Sequence, residues 1–502
     1  MKRYSETRVG IVLSYILLLA NTLYGLLVTP YVLKYVGVSS YGVYKSISSL
    51  SASLAVMDLG LGATMTRYMA KYNATGDKQR ASNYVAMSFV QFAIIASFIA
   101  LLGVGVFFMI PQMYSATFSE AEMELARILL LLLVLNLILR LFENLLSGIA
   151  TGYEQFLAAN GIKLFSIIAK FTLILVLLPI VQNVLLIVIL ESALAITCVI
   201  ILLWFVIAKI HVVPKLVRWD KSVFTESTLY ATLMFFQSLT IQFNGNVDNV
   251  LIGSYLGAST VTVYSMALVI YGMYEHLSGS VATIMLPNMT RRVVAGQNPR
   301  ELQECVEKAG RFQFILLGAA LGGFVVLGKE FYTLWLGEGY KDCYWLTLIL
   351  IVPVTIPMIQ NVALSILRAQ NKMLYRTITL LISCVVNIAV TIVGIKTWGY
   401  WGAALGTASA TLSNIVLMNV YYHQHLHFRI IHMFKTIMSG TWSCVLVAVV
   451  CTGILRCLFT TSWMSFFICG VLYVIFYVGA LVLWGMNQSE KNTIFGCVRR
   501  QV

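Results

Sequence analysis

Charged residues are scarce in this chain: Asp, Glu, Lys and Arg together make up 11% of its 502 residues. A soluble protein of this length normally carries about a quarter of its residues as charged side chains. Hydrophobic residues instead make up 59% of the chain, and the mean hydropathy is +0.86. The shortage of charge therefore argues against a soluble globular protein and predicts one whose main solvent is lipid.

Motifs that carry catalysis are also missing. The nine cysteines include no CxxC pair, which argues against a disulfide framework or a zinc site. No P-loop lysine motif, HExxH or GxSxG sequence occurs, so nucleotide, zinc-peptidase and serine-hydrolase chemistry are not predicted. In the histidine-rich stretch YYHQHLHFRIIH, only His423 and His427 share a helical face. We expect no enzyme activity, no metal and no organic cofactor.

Fourteen apolar segments are long enough to cross a bilayer, because a spanning helix needs about 20 apolar residues. They lie at approximately 10–34, 41–68, 83–110, 126–150, 155–179, 184–208, 226–254, 262–288, 311–336, 344–368, 374–395, 402–426, 435–458 and 463–486. The predicted fold class is therefore an all-α polytopic membrane protein with about 14 transmembrane helices.

The basic residues test this count. The net charge is +14, but Lys and Arg are spread thinly between the apolar segments and form no single patch, so no nucleic-acid partner is predicted.

The distribution of basic residues also predicts the orientation of the chain. With a cytoplasmic N-terminus, 25 of the 34 Lys and Arg fall on the cytoplasmic side and 7 on the other side. This bias predicts that both termini are cytoplasmic.

Two stretches of the chain repeat one another. YVGVSSYGVY, Tyr35 to Tyr44, matches YLGASTVTVY, Tyr255 to Tyr264, at five positions when shifted by 220 residues. A similar shift places IATGYEQFL over ILRAQNKML. The repeat predicts two pseudo-symmetric six-helix lobes, residues 1–213 and 214–433, with two further helices and a cytoplasmic tail in residues 434–502.

Several of these segments resemble a known family. TPYVLKYVG, MDLGLGATMTRYMAKY and NVDNVLIGSYLGASTVTVYSMA are similar to polysaccharide-lipid flippases. These are the Wzx-type branch of the multidrug/oligosaccharidyl-lipid/polysaccharide exporter superfamily. The resemblance covers essentially the whole chain and implies a MATE-like fold. The first predicted span, 10–34, contains no arginine, unlike that of the lipid II flippases, which argues against a peptidoglycan precursor as substrate.

The resemblance implies a function. Such proteins move undecaprenyl-pyrophosphate-linked oligosaccharides from the cytoplasmic to the outer leaflet by alternating access, without ATP of their own. It implies a multi-pass protein of the bacterial cytoplasmic (inner) membrane that contacts membrane lipids. A polysaccharide polymerase or glycosyltransferases are the partner proteins that it suggests.

Polar residues recur at helical spacing inside several predicted spans, and such stripes cannot face lipid. They are Tyr44, Ser48, Ser51 and Asp58; Asn136, Arg140, Glu143, Asn144 and Ser147; Asn160, Lys163, Ser166 and Lys170; Gln237, Asn244 and Asp248; and Tyr264, Tyr271, Glu275 and Ser278. They line either a hydrated cavity between the lobes or contacts between helices.

Arg140 and Lys170 are the leading candidates for substrate binding. A cation at the bilayer centre costs ~2.5 kcal/mol or more, so each needs a partner or an anionic ligand such as pyrophosphate or an acidic sugar. The alternative is structural: Arg140 pairs with Glu143 one turn away, and Lys170 pairs with Glu191. The other predicted cavity residues are Lys45, Asn136, Asn144 and Tyr271.

Asp58 is the leading candidate for coupling to H⁺ or Na⁺, because an apolar site favours its protonated form. Gly60, Gly62 and Ala63 would let its helix approach a neighbour closely. The alternative is that Asp58 caps or hydrogen-bonds a neighbouring helix. Further coupling candidates are Glu143, Glu191, Asp248 and Glu275.

Other function classes fit the sequence less well. A cation-coupled multidrug or toxin antiporter of the same fold would have an aromatic, acidic pocket without essential cations. A membrane glycosyltransferase or polysaccharide polymerase usually needs a large outer loop, and no predicted outer connection is long enough. Charged stripes at mid-depth argue against a purely structural scaffold.

Overall fold

The computed structural model describes residues 2–54, 61–217, 219, 242–370, 372–487 and 490–491, and its regular elements are helices. In chain order they are α1 Lys2–Val36, α2 Val38–Leu54, α3 Leu61–Thr75, α4 Lys78–Tyr114, α5 Glu120–Gly152, α6 Phe156–Val181, α7 Leu185–Phe205, α8 242–256, α9 Ala258–Val294, α10 Pro299–Leu336, α11 Asp342–Ile359, α12 Asn361–Ala369, α13 Leu374–Trp398, α14 Tyr400–Leu426, α15 Ile430–Met438, α16 Thr441–Arg456 and α17 Trp463–Ala480.

The membrane fold is confirmed. Within the described ranges, ten helices are long and apolar enough to cross a bilayer, and α15 with α16 makes an eleventh if this pair, bent by 44°, is one span. The predicted span 41–68 corresponds to α2 and α3, on either side of residues 55–60, which lie outside the described ranges. Much of the predicted span 226–254 also lies outside them.

One predicted span, 344–368, is two helices that meet at Gln360. The reason is local, because α11 contains Pro353 and Pro357. Proline donates no backbone hydrogen bond, and its ring clashes with the preceding turn of a helix. The helix α11 ends at Ile359, two residues after Pro357, and the short helix α12 begins at Asn361.

The internal repeat is visible in the backbone. Gly37 separates α1 from α2 with φ of +85°, and Gly257 separates α8 from α9 with φ of +87°. Gly76 and Gly296, at φ of +69° and +71°, follow α3 and α9. The 220-residue shift relates both pairs, and glycine reaches these left-handed conformations without a steric penalty. The two halves thus use the same helix connections.

The chain divides into two compact units, Met1–Thr262 and Val263–Val502. In the first unit, α8 and the start of α9 pack on α2. Nδ2 of Asn249 donates to Oγ of Ser49 at 2.9 Å, and Oγ1 of Thr262 donates to the carbonyl of Val38 at 2.7 Å. The lobe boundaries expected from the repeat, at 213 and 433, remain a prediction.

In the second unit, the C-terminal helices pack against α10. The hydroxyls of Tyr473 and Tyr477, both in α17, donate to the carbonyls of Ala319 and Ile315 at 2.9 and 2.7 Å. Two ion pairs reinforce this contact: Arg311 with Glu490 at 2.6 Å, and Arg456 with Glu330 at 2.5 Å. The helices appended to the repeat are therefore held by polar contacts along α10 as well as by packing.

Candidate functional site

Glu191, in the second turn of α7, is the centre of a charged cluster inside the first unit. Nη2 of Arg140, from α5, contacts Oε1 of Glu191, and Nζ of Lys170, from α6, lies 3.4 Å from the same oxygen. These helices pack against one another because their remaining faces are aliphatic. A single carboxylate thus forms ion pairs with two cations and connects three membrane helices.

Aromatic rings cover the other side of the cluster. Nζ of Lys170 lies 4.9 Å from the ring centroid of Tyr24 in α1. Nζ of Lys45, in α2, lies 5.4 and 5.8 Å from the rings of Tyr41 and Tyr44. Such cation–π contacts are strongest where water is scarce. Glu191 is within electrostatic range of Tyr24, Tyr44 and Lys45.

We call Tyr24, Tyr41, Tyr44, Lys45, Arg140, Lys170 and Glu191 the Glu191 cluster. It contains three cations and one carboxylate, so its ionised form carries two surplus positive charges. Lys45 and Arg140 are both within electrostatic range of Lys170, which they repel. An anion with two or more charges is the ligand that would balance this arrangement.

Exposure distinguishes the two leading cations. The side chain of Arg140 is 58% exposed, whereas those of Lys170 and Glu191 are 19% and 15% exposed. Arg140 lies well inside α5, more than three turns from either end. A charged side chain exposed at such a position in a membrane helix must face water or a polar ligand rather than lipid. The cluster is therefore open on the side of Arg140.

A second polar layer lies along the same three helices. Glu143 in α5, Lys163 and Ser166 in α6, and Cys198 in α7 interact electrostatically or by hydrogen bonds. In the described part of the chain, Arg140 makes its ion pair with Glu191 and not with Glu143. Of the two pairings in the structural alternative, the one between Lys170 and Glu191 is present, whereas Arg140 pairs with Glu191 instead of Glu143.

The other predicted substrate-binding residues are dispersed. Asn136 is buried, and its Nδ2 donates to the carbonyl of Val188 at 3.4 Å. The backbone of Asn144 lies against Gly62, so the expected close approach of Gly62 to a neighbouring helix is confirmed. Tyr271, in the second unit, donates from its hydroxyl to Glu275 at 3.0 Å.

The predicted coupling carboxylates have different environments. Glu191 is in the cluster, and Glu143 is in the second polar layer. Asp248 is buried in α8 and has interaction partners. Glu275 is exposed on α9. Asp58, together with Gly60, lies outside the described ranges.

The sequence reading missed the aromatic members Tyr24 and Tyr41. Tyr24 follows Asn21 and Thr22 in an otherwise aliphatic stretch, LLLANTLYGLL, and this polar interruption was the available signal. Two of the histidines contact oxygen atoms of the protein: Nδ1 of His423 lies 3.1 Å from the carbonyl of Phe428, and Nδ1 of His432 lies 3.3 Å from Oε1 of Glu307 in α10. Among the described residues, no group of three or more His, Cys, Asp or Glu could hold a metal ion.

Comparison with known proteins identifies the family. The profile described as polysaccharide biosynthesis protein matches residues 9–292, more than half of the chain. The chain belongs to this family. A curated relative in Bacillus subtilis (strain 168), the uncharacterized membrane protein EpsK, is 22% identical over 506 residues, covering 94% of each protein.

Solved structures show the same fold. The chain is similar to the lipid II flippase MurJ in an inward closed conformation, with a TM-score of 0.71 at 15% identity over 94% of this chain and 97% of that one. It is also similar to an inward-facing multidrug resistance MATE family transporter of the MOP superfamily, with a TM-score of 0.63 at 15% identity over 83% and 99% of the two chains. The predicted MATE-like fold is confirmed.

Proposed function

We propose that this protein is a flippase that moves undecaprenyl-pyrophosphate-linked oligosaccharide units from the cytoplasmic to the outer leaflet for surface-polysaccharide synthesis. The observation that carries the proposal is the positive surplus of the Glu191 cluster within a membrane helix bundle. The family supports a role in polysaccharide biosynthesis, and the shared fold of MurJ and MATE proteins supports transport.

The pyrophosphate is the part of the substrate that this cluster fits. Arg140 presents a planar fork of donors that binds phosphate oxygens in pairs, and Lys170 supplies a compact charge beside it. Both interactions strengthen where helices exclude water. The open side of the cluster at Arg140 is where the anion would enter. The sugars and the lipid chain of the substrate then need no charged partner in the Glu191 cluster.

Glu191 acts as the resident counter-ion in this proposal. Without substrate it holds Arg140 and Lys170, which keeps two cations stable in the bundle. An incoming pyrophosphate competes with the carboxylate for both cations. Protonation of Glu191 would release them, so proton uptake and anion binding favour each other. In this proposal Glu191 is the residue at which ion binding is linked to anion binding, with H⁺ or Na⁺ as the ion.

A cation-coupled multidrug antiporter is the competing proposal, because a MATE transporter shares the fold. Its substrates are predicted to need an acidic, aromatic pocket. The Glu191 cluster has the aromatic rings but three cations to one acid, which disfavours a cationic drug by like-charge repulsion. The anionic substrate therefore fits the charges better.

Lipid that co-purifies with the protein tests the substrate. The protein is purified from cells that make its native glycan, and its bound lipids are identified by mass spectrometry. We expect undecaprenyl-pyrophosphate glycan with the wild type and at least tenfold less with Arg140→Gln or Lys170→Gln. Arg127→Gln is the control, because Arg127 is on the same helix α5 but contacts Phe107 outside the cluster.

Two results would overturn the proposal. One is bulk phospholipid alone on the wild type, together with drug-dependent proton flux in proteoliposomes, which is the antiporter's behaviour. The other is normal surface polysaccharide in cells carrying either cluster variant at wild-type protein levels.

A further inference from the structure

Close to the turn between α12 and α13, in the second unit, a half-buried arginine has one guanidinium nitrogen that is buried and has no hydrogen-bond partner among the described residues. Arg376 lies in the first turn of α13, and its Nε is buried and makes no hydrogen bond. A buried guanidinium N–H without an acceptor is costly, because its interaction with water is lost and not replaced. Such a group in a native fold requires an explanation.

In the part of the chain that the structure describes, no acidic group near Arg376 supplies that acceptor. Two titratable groups interact electrostatically with Arg376. One is Tyr422, which is buried, and the other is Arg368, which lies at the end of α12 and carries the same charge as Arg376. Lys372 is exposed in the turn between the two arginines. The whole stretch RAQNKMLYR contains three cations and no acid. Among the described residues, Arg376 therefore has like charges nearby and no carboxylate.

A second orphaned atom lies in the same turn. Oε1 of Gln370 is buried and has no hydrogen-bond partner. A buried donor and a buried acceptor thus lie within a stretch of seven residues, and neither has a hydrogen-bond partner. Such a pair indicates a place where a polar ligand or an ordered water completes the hydrogen bonding.

The fold does not need cations at these positions. The repeat places Arg368, Lys372 and Arg376 over Thr151, Gln155 and Ala159 in the equivalent turn between α5 and α6. That turn joins two long helices with no basic residue at any of the three positions. The three cations are thus a property of the second half of the chain, and they point to a ligand rather than to the turn itself.

The turn lies at the edge of a lipid-facing surface. Leu374, Ile378, Leu381 and Val385 are exposed along one side of α13, beginning two residues before Arg376. Tyr375 stacks on Tyr421 of α14 at 4.1 Å between ring centroids, as aromatic residues do at membrane interfaces. A lipid whose chain lies along these exposed residues would place its headgroup at the arginines.

We propose that Arg376 and Arg368 form a binding site for a phosphate group at this end of α13, distinct from the Glu191 cluster. The ligand class is a phosphate ester or diester, and the exposed apolar side of α13 favours an anionic membrane lipid over a soluble phosphate. Two guanidinium groups bind phosphate oxygens by charge-assisted hydrogen bonds. Bound phosphate gives the buried Nε an acceptor and relieves the repulsion between the arginines.

The test uses delipidated full-length protein in a neutral detergent. Native mass spectrometry counts bound phosphatidylglycerol, with phosphatidylcholine as the zwitterionic comparison, and a separate titration uses inorganic pyrophosphate. We expect Arg376→Gln and Arg368→Gln to bind one fewer phosphatidylglycerol, with at least fivefold weaker affinity at this site. Arg376→Lys should restore only part of the affinity, because a point charge does not replace the fork of donors.

Arg80→Gln is the matched control, since Arg80 is exposed and paired with Asp77, and it should bind as the wild type does. Loss of one pyrophosphate site in both arginine variants, with lipid binding and the pyrophosphate site at the Glu191 cluster unchanged, would also support the phosphate site and identify a soluble ligand. Unchanged binding of both probes in both variants would overturn it. Arg368 is exposed, so Arg368→Gln keeps the test decisive if Arg376→Gln does not fold.

Discussion

Lys170 and Glu191 form an ion pair of 3.4 Å between two neighbouring helices, and both side chains are more than four-fifths buried. Arg140 joins the same carboxylate but is 58% exposed. Burial decides how much each pair stabilises the protein. A solvated pair contributes little, whereas removing one member of a buried pair leaves an uncompensated charge.

This difference predicts the order of two substitutions. Lys170→Gln should lower the free energy of unfolding by about 1–3 kcal/mol, and Arg140→Gln should lower it by less than about 1 kcal/mol. Thermal unfolding of the purified variants in one detergent measures both. If the free energy of unfolding falls equally in both variants, or falls further in Arg140→Gln, the surroundings of Lys170 are more hydrated than its burial indicates.

Removing the counter-ion should strengthen anion binding. Glu191→Gln leaves Arg140 and Lys170 with a neutral partner, and we expect pyrophosphate to bind roughly tenfold more tightly, which is about 1.4 kcal/mol. Calorimetric titration of each variant with pyrophosphate at one fixed pH measures the change in affinity.

Glu143→Gln is the control for this experiment. Glu143 is also in α5 but interacts with the second polar layer around Lys163 and Cys198. Its variant should bind pyrophosphate as the wild type does. If Glu191→Gln binds pyrophosphate no more tightly than Glu143→Gln, competition between the carboxylate and the substrate is not part of the mechanism.

A glycine contact holds α2 against the start of α9. A methyl group at Gly42 would overlap the carbonyl oxygen of Ala258 and would lie 2.9 Å from Oγ1 of Thr262. Backbone atoms cannot move aside as the end of a side chain can, so Gly42→Ala should destabilise the first unit by about 2–3 kcal/mol. Gly25→Ala is the control, because nothing lies within 4 Å of its added methyl group.

The two variants should have opposite effects. Gly25 is inside α1, where alanine is a better helix former by up to about 1 kcal/mol. Fluorescence-detected size-exclusion chromatography after a temperature series gives the apparent melting temperature of each. A melting temperature of Gly42→Ala at or above the wild-type value would mean that α2 and α9 separate easily.

Much of the fold could be predicted from the sequence, because length and hydropathy determine which segments span a membrane. The turns of the repeat were also visible, since Gly37 and Gly257 occupy matching places. The partner of Arg140 was not predictable in the same way. Sequence spacing shows only neighbours on one helix, such as Glu143, whereas the pairing with Glu191 depends on how α5 packs against α7. The same limit explains why Tyr24 was missed.

Arg311 is predicted to hold the C-terminal helices in place. It is 4% exposed and donates to the carboxylate of Glu490 and to the carbonyls of Thr436, Ser439 and Gly485. Arg311→Gln should cost about 3–5 kcal/mol, because buried carbonyls and a carboxylate lose their donor. Glu490→Gln should cost less, since the three carbonyl contacts remain. Thermal unfolding and trypsin digestion of the C-terminal segment measure the difference; equal stability of the two variants would contradict this role.

The proposed topology predicts which cysteine reacts from outside the cell. Cys457 follows α16 and is exposed, in a connection predicted to be on the outer side. A membrane-impermeant maleimide should label it in intact cells, and Cys457→Ser should abolish most of that labelling. Cys305 is on the predicted cytoplasmic side, near the start of α10, and should react only after the cells are permeabilised. Labelling of Cys305 but not Cys457 in intact cells would contradict the predicted orientation, in which both termini are cytoplasmic.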